Sequence, residues 1–141
     1  MLFNTSYTNK DYTKESNHTV GKAFSFLEKI KLGGIGSSRL VIEKMSPNLQ
    51  PENMQSIVYN YANIELRPKG IILHFANRLD RYSWIIPYYH LAVYVTQTLT
   101  VHSNGNFMQF KKNKNYRANK KFITKVMDSK NNFLDLDYYG A

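Results

Sequence analysis

A run of basic residues near the end of the chain has the composition of an anion-binding surface. Between Lys111 and Lys130 lie eight basic residues and one acid, so this stretch carries most of the net charge of +9. Such clusters attract nucleic acid or acidic phospholipid, and the rings of Phe110 and Tyr116 could stack on bases. The default interpretation is simpler, because the solvated side of an amphipathic helix normally exposes lysine.

Two further basic residues stand together in an upstream turn. The candidate anion-binding residues are therefore Arg67, Lys69, Lys111, Lys112, Lys114, Arg117, Lys120, Lys121 and Lys125. Most of them are lysine, which attracts phosphate as a point charge and lacks the bidentate fork of arginine. Any nucleic-acid binding should accordingly be weak, sensitive to salt and independent of base sequence.

Residues that could catalyse a reaction are present, but their spacing matches no catalytic motif. The chain has no cysteine, which excludes disulfides, thiolate nucleophiles and cysteine metal ligands. The histidines lack metal-ligand spacing, and His74 and His102 would approach each other only if their strands paired. No nucleophile-elbow motif surrounds any serine. We therefore predict a non-catalytic chain with no metal and no cofactor.

Aromatic residues form a second candidate site. Tyr82 and Trp84 alternate along a predicted strand and share a face, and Tyr88 and Tyr89 follow after a proline. Core packing is the default expectation for such residues. The alternative is an exposed partner-binding patch made of Tyr82, Trp84, Tyr88 and Tyr89.

The first third of the chain is predicted to hold one helix. Residues 1–18 are polar and aperiodic, which predicts a flexible arm. A helix beginning after Thr19 and ending at Gly33 is predicted from four apolar residues on one helical face, namely Val20, Phe24, Leu27 and Ile30. Residues 39–45 fit either a strand or a helix, and the prolines of 46–53 mark a break.

The middle of the chain has the pattern of a sheet, over residues 55–111. Strands rich in β-branched and aromatic residues are separated by turns at Arg67–Gly70, at Asn77–Asp80 and at Asn104-Gly105, the last being a strong hairpin signal. Five or six consecutive strands predict an antiparallel meander. Apolar residues then recur at helical spacing, which predicts a C-terminal helix over about residues 116–130, capped by Asn115 and ending at Asn131-Asn132.

Residues 55–130 resemble small bacterial pleckstrin-homology-like (PH-like) domains. The resemblance lies in the glycine turn and strand Lys69–Phe75, the turn Asn77–Arg81, the strand and proline break Ser83–Pro87, and the later hairpin and helix. It implies seven strands, a closing helix and a binding or scaffolding role. The seventh strand would come from residues 39–45, or from a division of 92–103. The family's phosphoinositide-reading basic pattern is missing from the first hairpin, so lipid binding is not carried over.

These observations predict one α+β domain over residues 19–141. Its antiparallel meander would form a PH-like partly open barrel or bent sheet, capped by the C-terminal helix and preceded by an N-terminal helix. The predicted function is a non-catalytic intracellular binding or scaffold module for another protein. The alternative is an anion binder for acidic phospholipid or nucleic acid through Lys111–Lys130, and a small-ligand carrier would need a deep pocket. The chain shows neither a signal peptide nor an apolar run of about 20 residues, so a cytoplasmic location is expected.

Overall fold

The structure, a computed structural model, describes residues 2–6, 9–49, 61–77 and 80–138. It confirms the α+β class, because an open eight-stranded antiparallel sheet is combined with three α-helices in this part of the chain. The strands are β1 Leu2–Asn4, β2 Leu40–Met45, β3 Tyr61–Arg67, β4 Gly70–Asn77, β5 Asp80–Pro87, β6 Ala92–Val95, β7 Thr98–Ser103 and β8 Asn106–Lys111. The helices are α1 Lys10–Val20, α2 Phe26–Leu32 and α3 Lys114–Tyr138, and short 3₁₀ turns cover Pro47–Leu49 and Tyr88–His90.

The predicted antiparallel sheet is present, and it consists of two meanders, β3–β5 and β6–β8, which strand β2 joins. The strand order is β1-β5-β4-β3-β2-β8-β7-β6. Leu40 and Val41 pair with β3, whereas the strand from Ile42 onward pairs with β8, with a register shift between Ile42 and Lys44. Residues 39–45 are thus resolved in favour of a strand, and 92–103 are divided into β6 and β7. In the described part of the chain eight strands precede α3, and the seven from β2 to β8 follow helices α1 and α2.

The predicted turns set the register of the strands. Arg67 pairs with Gly70 in the first hairpin, and Asn77 pairs with Asp80 in the second. At the third hairpin Asn104 and Gly105 have φ values of 51° and 80°, the left-handed pair that a type I′ turn requires. Three predicted features fall partly on residues that the structure does not describe. They are the start of the sheet predicted over 55–111, the end of the break at 50–53, and the tip of the second turn at 78–79.

The principal hydrophobic core lies on the concave side of the bent sheet. Alternate residues of the strands point into it, including Ile64 of β3, Leu73 of β4 and Trp84 of β5. Helix α3 covers this side with buried residues of one helical stripe, Tyr116, Ile123 and Val126. The predicted C-terminal helix is therefore confirmed in position, because its apolar stripe completes the core.

The predicted flexible arm over residues 1–18 is wrong where the structure describes it. Strand β1 pairs with β5, and α1 packs on the opposite side of the sheet, which we call the outer face. Val20 of α1 contacts Ile72 and Ile85 there, forming a second, smaller apolar cluster. The only other residue of α1 that is fully buried is Ser16. Such a short apolar stripe gives little periodic signal.

The other helix boundaries also differ from the prediction. The apolar spacing from Val20 to Ile30 crosses a break, because Gly21 has a φ of 85° and ends α1. Ser25 then caps α2 through a capping box with Glu28, and Gly33 ends it in the left-handed conformation. At α3 the capping side chain is that of Asn113, which accepts bonds from the backbone of Asn115 and Tyr116. The helix continues past Asn132 to Tyr138.

Candidate binding surfaces

Arg67 does not belong to any anion-binding surface, which corrects the prediction. Its side chain is 8% exposed and forms an ion pair with Glu65 through Nε. Its Nη1 donates a hydrogen bond of 2.9 Å to the carbonyl of Gly21. Lys69, two residues later, is exposed in the turn, and its carbonyl accepts a hydrogen bond from the amide of Tyr88. The ring of Tyr88 packs against Phe133 in the second half of α3. At 1.5 Å per residue, Phe133 is about 28 Å along α3 from Lys114, so the candidate cations do not converge.

The basic residues of α3 do share a face. Lys114, Arg117, Lys120 and Lys121 are exposed. Arg117, Lys121 and Lys125 follow one another at intervals of four, which places them in one row along the helix. Before the helix, Lys112 Nζ donates to the carbonyl of Thr96 at 2.9 Å, and the remaining candidate Lys111 is half-buried at the end of β8.

Helix α2 exposes its apolar side chains, a feature that the sequence pattern did not predict. Phe26 is 75% exposed, Leu27 70% and Ile30 61%, and no residue of α2 is buried. At about 100° per residue these three side chains span one side of the helix, with Lys29 and Lys31 on its two flanks. Large apolar side chains grouped in this way mark a surface that contacts something else. We call Phe26, Leu27 and Ile30 the α2 apolar face.

The α2 apolar face is held beside the basic row of α3. Phe24 before the helix and Ile35 after it pack against the principal core. The amide of Leu66 donates to the carbonyl of Ile35 at 2.6 Å, which holds the segment after α2 against strand β3. Lys125 Nζ donates to the carbonyls of Leu32 and Gly34 at 2.6 and 3.1 Å. The row Arg117–Lys121–Lys125 therefore leads directly to the end of α2.

The predicted aromatic partner patch does not exist as one surface. Trp84 and Tyr88 are 2% and 1% exposed, so both belong to the core. Burial raises the pKa of Tyr88 to about 12, and its hydroxyl donates to the carbonyl of Arg67. Tyr82 is half-buried and stacks on Phe75 at 5.6 Å. Of the four, Tyr89 alone has a largely exposed side chain, at 56%.

A chain of hydrogen bonds crosses the outer face of β3, β4 and β5. It comprises Arg67, Glu65, His74, Ser83 and Thr5, and we call it the outer-face network. His74 Nε2 donates to Glu65 Oε1 at 2.8 Å, and its Nδ1 lies 2.8 Å from Ser83 Oγ. Ser83 Oγ lies 3.0 Å from Thr5 Oγ1 of the segment after β1. The network thus joins β3, β4, β5 and the N-terminal segment below α1.

The order serine, histidine, carboxylate has the connectivity of a catalytic triad, but its surroundings differ. Ser83 is 1% exposed, so its hydroxyl has no open approach for a carbonyl carbon. It lies on β5 between β4 and β1, where the backbone donors of neighbouring residues are engaged in the sheet. An oxyanion hole needs backbone donors that are free to meet developing charge. The network is better explained as a buried polar bridge between strands.

The network also sets the ionisation of its carboxyl group. Burial disfavours the charged form of Glu65, but hydrogen bonds from His74 and Arg67 outweigh it and lower the pKa below the ordinary 4.5. Burial raises the pKa of Tyr12, whose phenol lies close by, and the charge of Glu65 adds to that rise. Glu65 is consequently held as an anion between two cationic or polar partners.

The possible meeting of two histidines is not realised. His74 lies on β4 and His102 on β7, and β3, β2 and β8 separate these strands in the sheet. Among the described residues, no three metal-ligating side chains lie close enough together to hold an ion. None of the described helices combines the length and the apolar character needed to cross a bilayer.

Comparison with known proteins adds no relative. No protein-family model matches the chain, and neither the curated proteins nor the solved structures contain a significant match. The PH-like assignment therefore stays a prediction, and the functional argument depends on the surfaces described above.

Proposed function

We propose that this protein is a non-catalytic binding module that docks on an acidic phospholipid surface. The observation that carries the proposal is the α2 apolar face, with three large side chains between 61% and 75% exposed. Interfacial helices combine such a face with lysines on their flanks, as Lys29 and Lys31 flank this one. The apolar side chains would enter the boundary between headgroups and acyl chains.

The charge beside α2 supports a lipid surface as the occupant. Lys125 binds the last carbonyls of α2, and the row it belongs to presents Arg117 and Lys121 to solvent. A flat anionic surface can meet the apolar face and this basic row together. Nucleic acid would be attracted by the charge alone and would leave the three apolar side chains in water.

The proposal extends to location and family. Acidic phospholipids are concentrated in the cytoplasmic leaflet, so we place the module in the cytoplasm on that surface. The PH-like assignment is supported by seven consecutive strands, β2 to β8, followed by α3. The lipid-binding argument is separate from that assignment, because it uses α2 and α3 and leaves the first hairpin unused.

We expect substitutions in either part of this surface to weaken vesicle binding. Replacing Arg117 and Lys121 with glutamine should weaken binding to phosphatidylcholine–phosphatidylglycerol vesicles about 30-fold, at about 1 kcal/mol per charge. Replacing Phe26 and Ile30 with serine should also weaken it about 30-fold, because partly inserted side chains contribute about 1 kcal/mol each. Co-sedimentation with vesicles of defined composition measures both changes.

The matched controls remove equivalent groups elsewhere. Lys10→Gln/Lys14→Gln removes two charges from α1, and Tyr94→Ser removes an exposed ring from β6; neither should change vesicle binding. If the wild-type protein bound vesicles of phosphatidylcholine alone as tightly as the mixed vesicles, charge would have no role in the binding. If the α2 and α3 variants bound as tightly as wild type, the proposal would be wrong.

A protein partner is a second candidate function, favoured by a different observation. Strand β6 lies at one end of the sheet and, in the part of the chain that the structure describes, pairs on one side only, with β7. Its sequence Ala92-Val-Tyr-Val95 has no charge, and Tyr94 and Val95 are 55% and 41% exposed. Natural sheets usually protect such edges with charge or proline. An uncharged edge suits addition of a partner's strand.

We expect Tyr94→Lys to abolish this second mode while leaving vesicle binding intact. A lysine on an edge strand disfavours strand addition because its charge would have to be desolvated on pairing. The measurement is capture of a partner by immobilised wild-type protein compared with the variant, and Lys14→Gln on α1 serves as the control. Capture that is unchanged in Tyr94→Lys would exclude β6 as the binding edge.

A further inference from the structure

A cleft of about 680 Å³ opens on the outer face, and none of the residues that line it belongs to the α2 apolar face or to the basic row of α3. At Arg39 it borders the start of α3, because Asn115 and Asn119 donate to the Arg39 carbonyl. Its walls come from β3, β4, β5, the segment before β2 and the first turns of the chain, and they include Arg39, Tyr61, His74 and Arg81. This volume is within the range of small-molecule sites, which is about 300–1,000 Å³. Neither the predicted anion-binding set nor the aromatic patch accounts for it.

The walls of the cleft are positively charged. Arg39 and Arg81 are both exposed, and neither has a carboxylate partner among the described residues. No aspartate or glutamate is among the residues that line the cleft. The nearby Glu65 is occupied by Arg67 and His74. Two uncompensated guanidinium groups at one opening provide forked donors for a carboxylate or phosphate.

The remaining groups are suited to a flat organic body. The guanidinium carbon of Arg39 lies 5.4 Å from the ring centre of Tyr61, which holds that arginine in place. Tyr12 of α1 contributes a further ring to the walls, whereas the ring of Tyr82 stacks on Phe75 on the core side of the sheet. The floor is rigid, because His74 and Ser83 are locked in the outer-face network. A pre-organised floor lowers the entropic cost of binding.

We propose that this cleft binds a small organic oxyanion, a carboxylate or phosphate attached to a planar ring. Arg39 and Arg81 hold the oxyanion, and the tyrosines contact the ring. The site is independent of the docking surface on α2 and α3. The proposal is for binding alone, because the aliphatic hydroxyls that line the cleft, those of Ser83 and Thr5, are hydrogen-bonded to each other.

The test is a nuclear magnetic resonance titration of the full chain with phenyl phosphate, benzoate, phenol and inorganic phosphate. Phenyl phosphate or benzoate should shift the amide signals of Asn63, His74 and Arg81 saturably, and which of them binds tighter identifies the oxyanion. Arg39→Gln and Arg81→Gln should each weaken that binding about tenfold or more, the loss of a charged hydrogen bond. Arg117→Gln on α3 removes the same charge elsewhere and should have no effect.

Several outcomes would overturn the proposal. If neither phenyl phosphate nor benzoate shifts those signals, the site does not exist. If phenol binds as tightly as phenyl phosphate, the arginines have no role in binding. Inorganic phosphate binding equally well would remove the role of the rings. Affinity unchanged in both Arg39→Gln and Arg81→Gln would place the bound anion elsewhere. The spectra of the two variants report folding directly, and vesicle binding by the same variants should equal wild type.

Discussion

Replacing Gly70 with alanine is expected to lower the free energy of unfolding by about 3 kcal/mol or more, the upper end of what overpacking costs. An added Cβ would clash with the carbonyl of Ile86 and would lie 2.5 Å from Val20 Cγ1 and 2.9 Å from Pro87 Cα. Two of these three neighbours are backbone of β5, which cannot move without breaking its pairing with β4. At this chain length the melting temperature should fall by about 10 °C.

Gly36→Ala is the matched control, since its nearest neighbour would be the carbonyl of Ile64 at 3.9 Å. It should change stability by less than about 0.5 kcal/mol. Thermal and denaturant unfolding measure both variants. A Gly70→Ala protein as stable as Gly36→Ala would contradict the close approach of the β5 backbone and of Val20 to Gly70.

Replacing Glu65 with alanine is expected to lower the free energy of unfolding by about 3 kcal/mol, the lower end of the range for breaking a buried ion pair. The lower end applies because the Glu65 side chain keeps 21% of its surface exposed. Arg67, 8% exposed, would be left buried with only the Gly21 carbonyl as its recorded partner, and His74 would lose its bond through Nε2. Chemical denaturation of the variant measures the loss.

A double variant separates burial of charge from loss of packing. Glu65→Leu/Arg67→Met removes both charges and should be more stable than Glu65→Ala, because an apolar pair avoids the desolvated cation. A double variant less stable than the single one would assign the cost to packing. A loss below about 1 kcal/mol in Glu65→Ala would contradict the buried ion pair, since that is the value of a surface pair.

The same carboxylate makes part of the stability dependent on pH. The folded pKa of Glu65 is lowered below 4.5, so its contribution is complete above the unfolded pKa and is lost as pH falls through the folded pKa. Wild type should therefore exceed Glu65→Gln in unfolding free energy at about pH 7, and the two should converge as the pH falls through the lowered folded pKa of Glu65. A difference that grew in acid would reverse the sign of this linkage.

Local chemistry explains what could be predicted. The turns at Arg67–Gly70 and Asn104-Gly105 carry their own conformational preferences, and alternating apolar residues define the strands between them. The amphipathic period identified α3 for the same reason. The hairpin turns even imply that His74 lies opposite Asn63 and Ser83, as the structure has it. The outer-face network could have been foreseen from that register, with Glu65 diagonal to His74.

Long-range packing determines the features that could not be predicted from the sequence. Strand β2 pairs with β3 in one half and β8 in the other, and both partners lie far from residues 40–45 in the sequence. The helix α1 depends on Val20 and Tyr12 fitting the outer face, because its own pattern is mostly polar.

For the candidate sites, too, some features followed from the local sequence and others from tertiary packing. The sequence determined that the chain is basic, free of cysteine and rich in strands, and that Arg117, Lys120 and Lys121 would lie on a helix. Only the tertiary structure decided that Arg67 is buried, that Trp84 and Tyr88 belong to the core, and that the α2 apolar face is exposed. The physical reason is that helical or strand period reports which side chains share a face, whereas burial depends on whether another element covers that face.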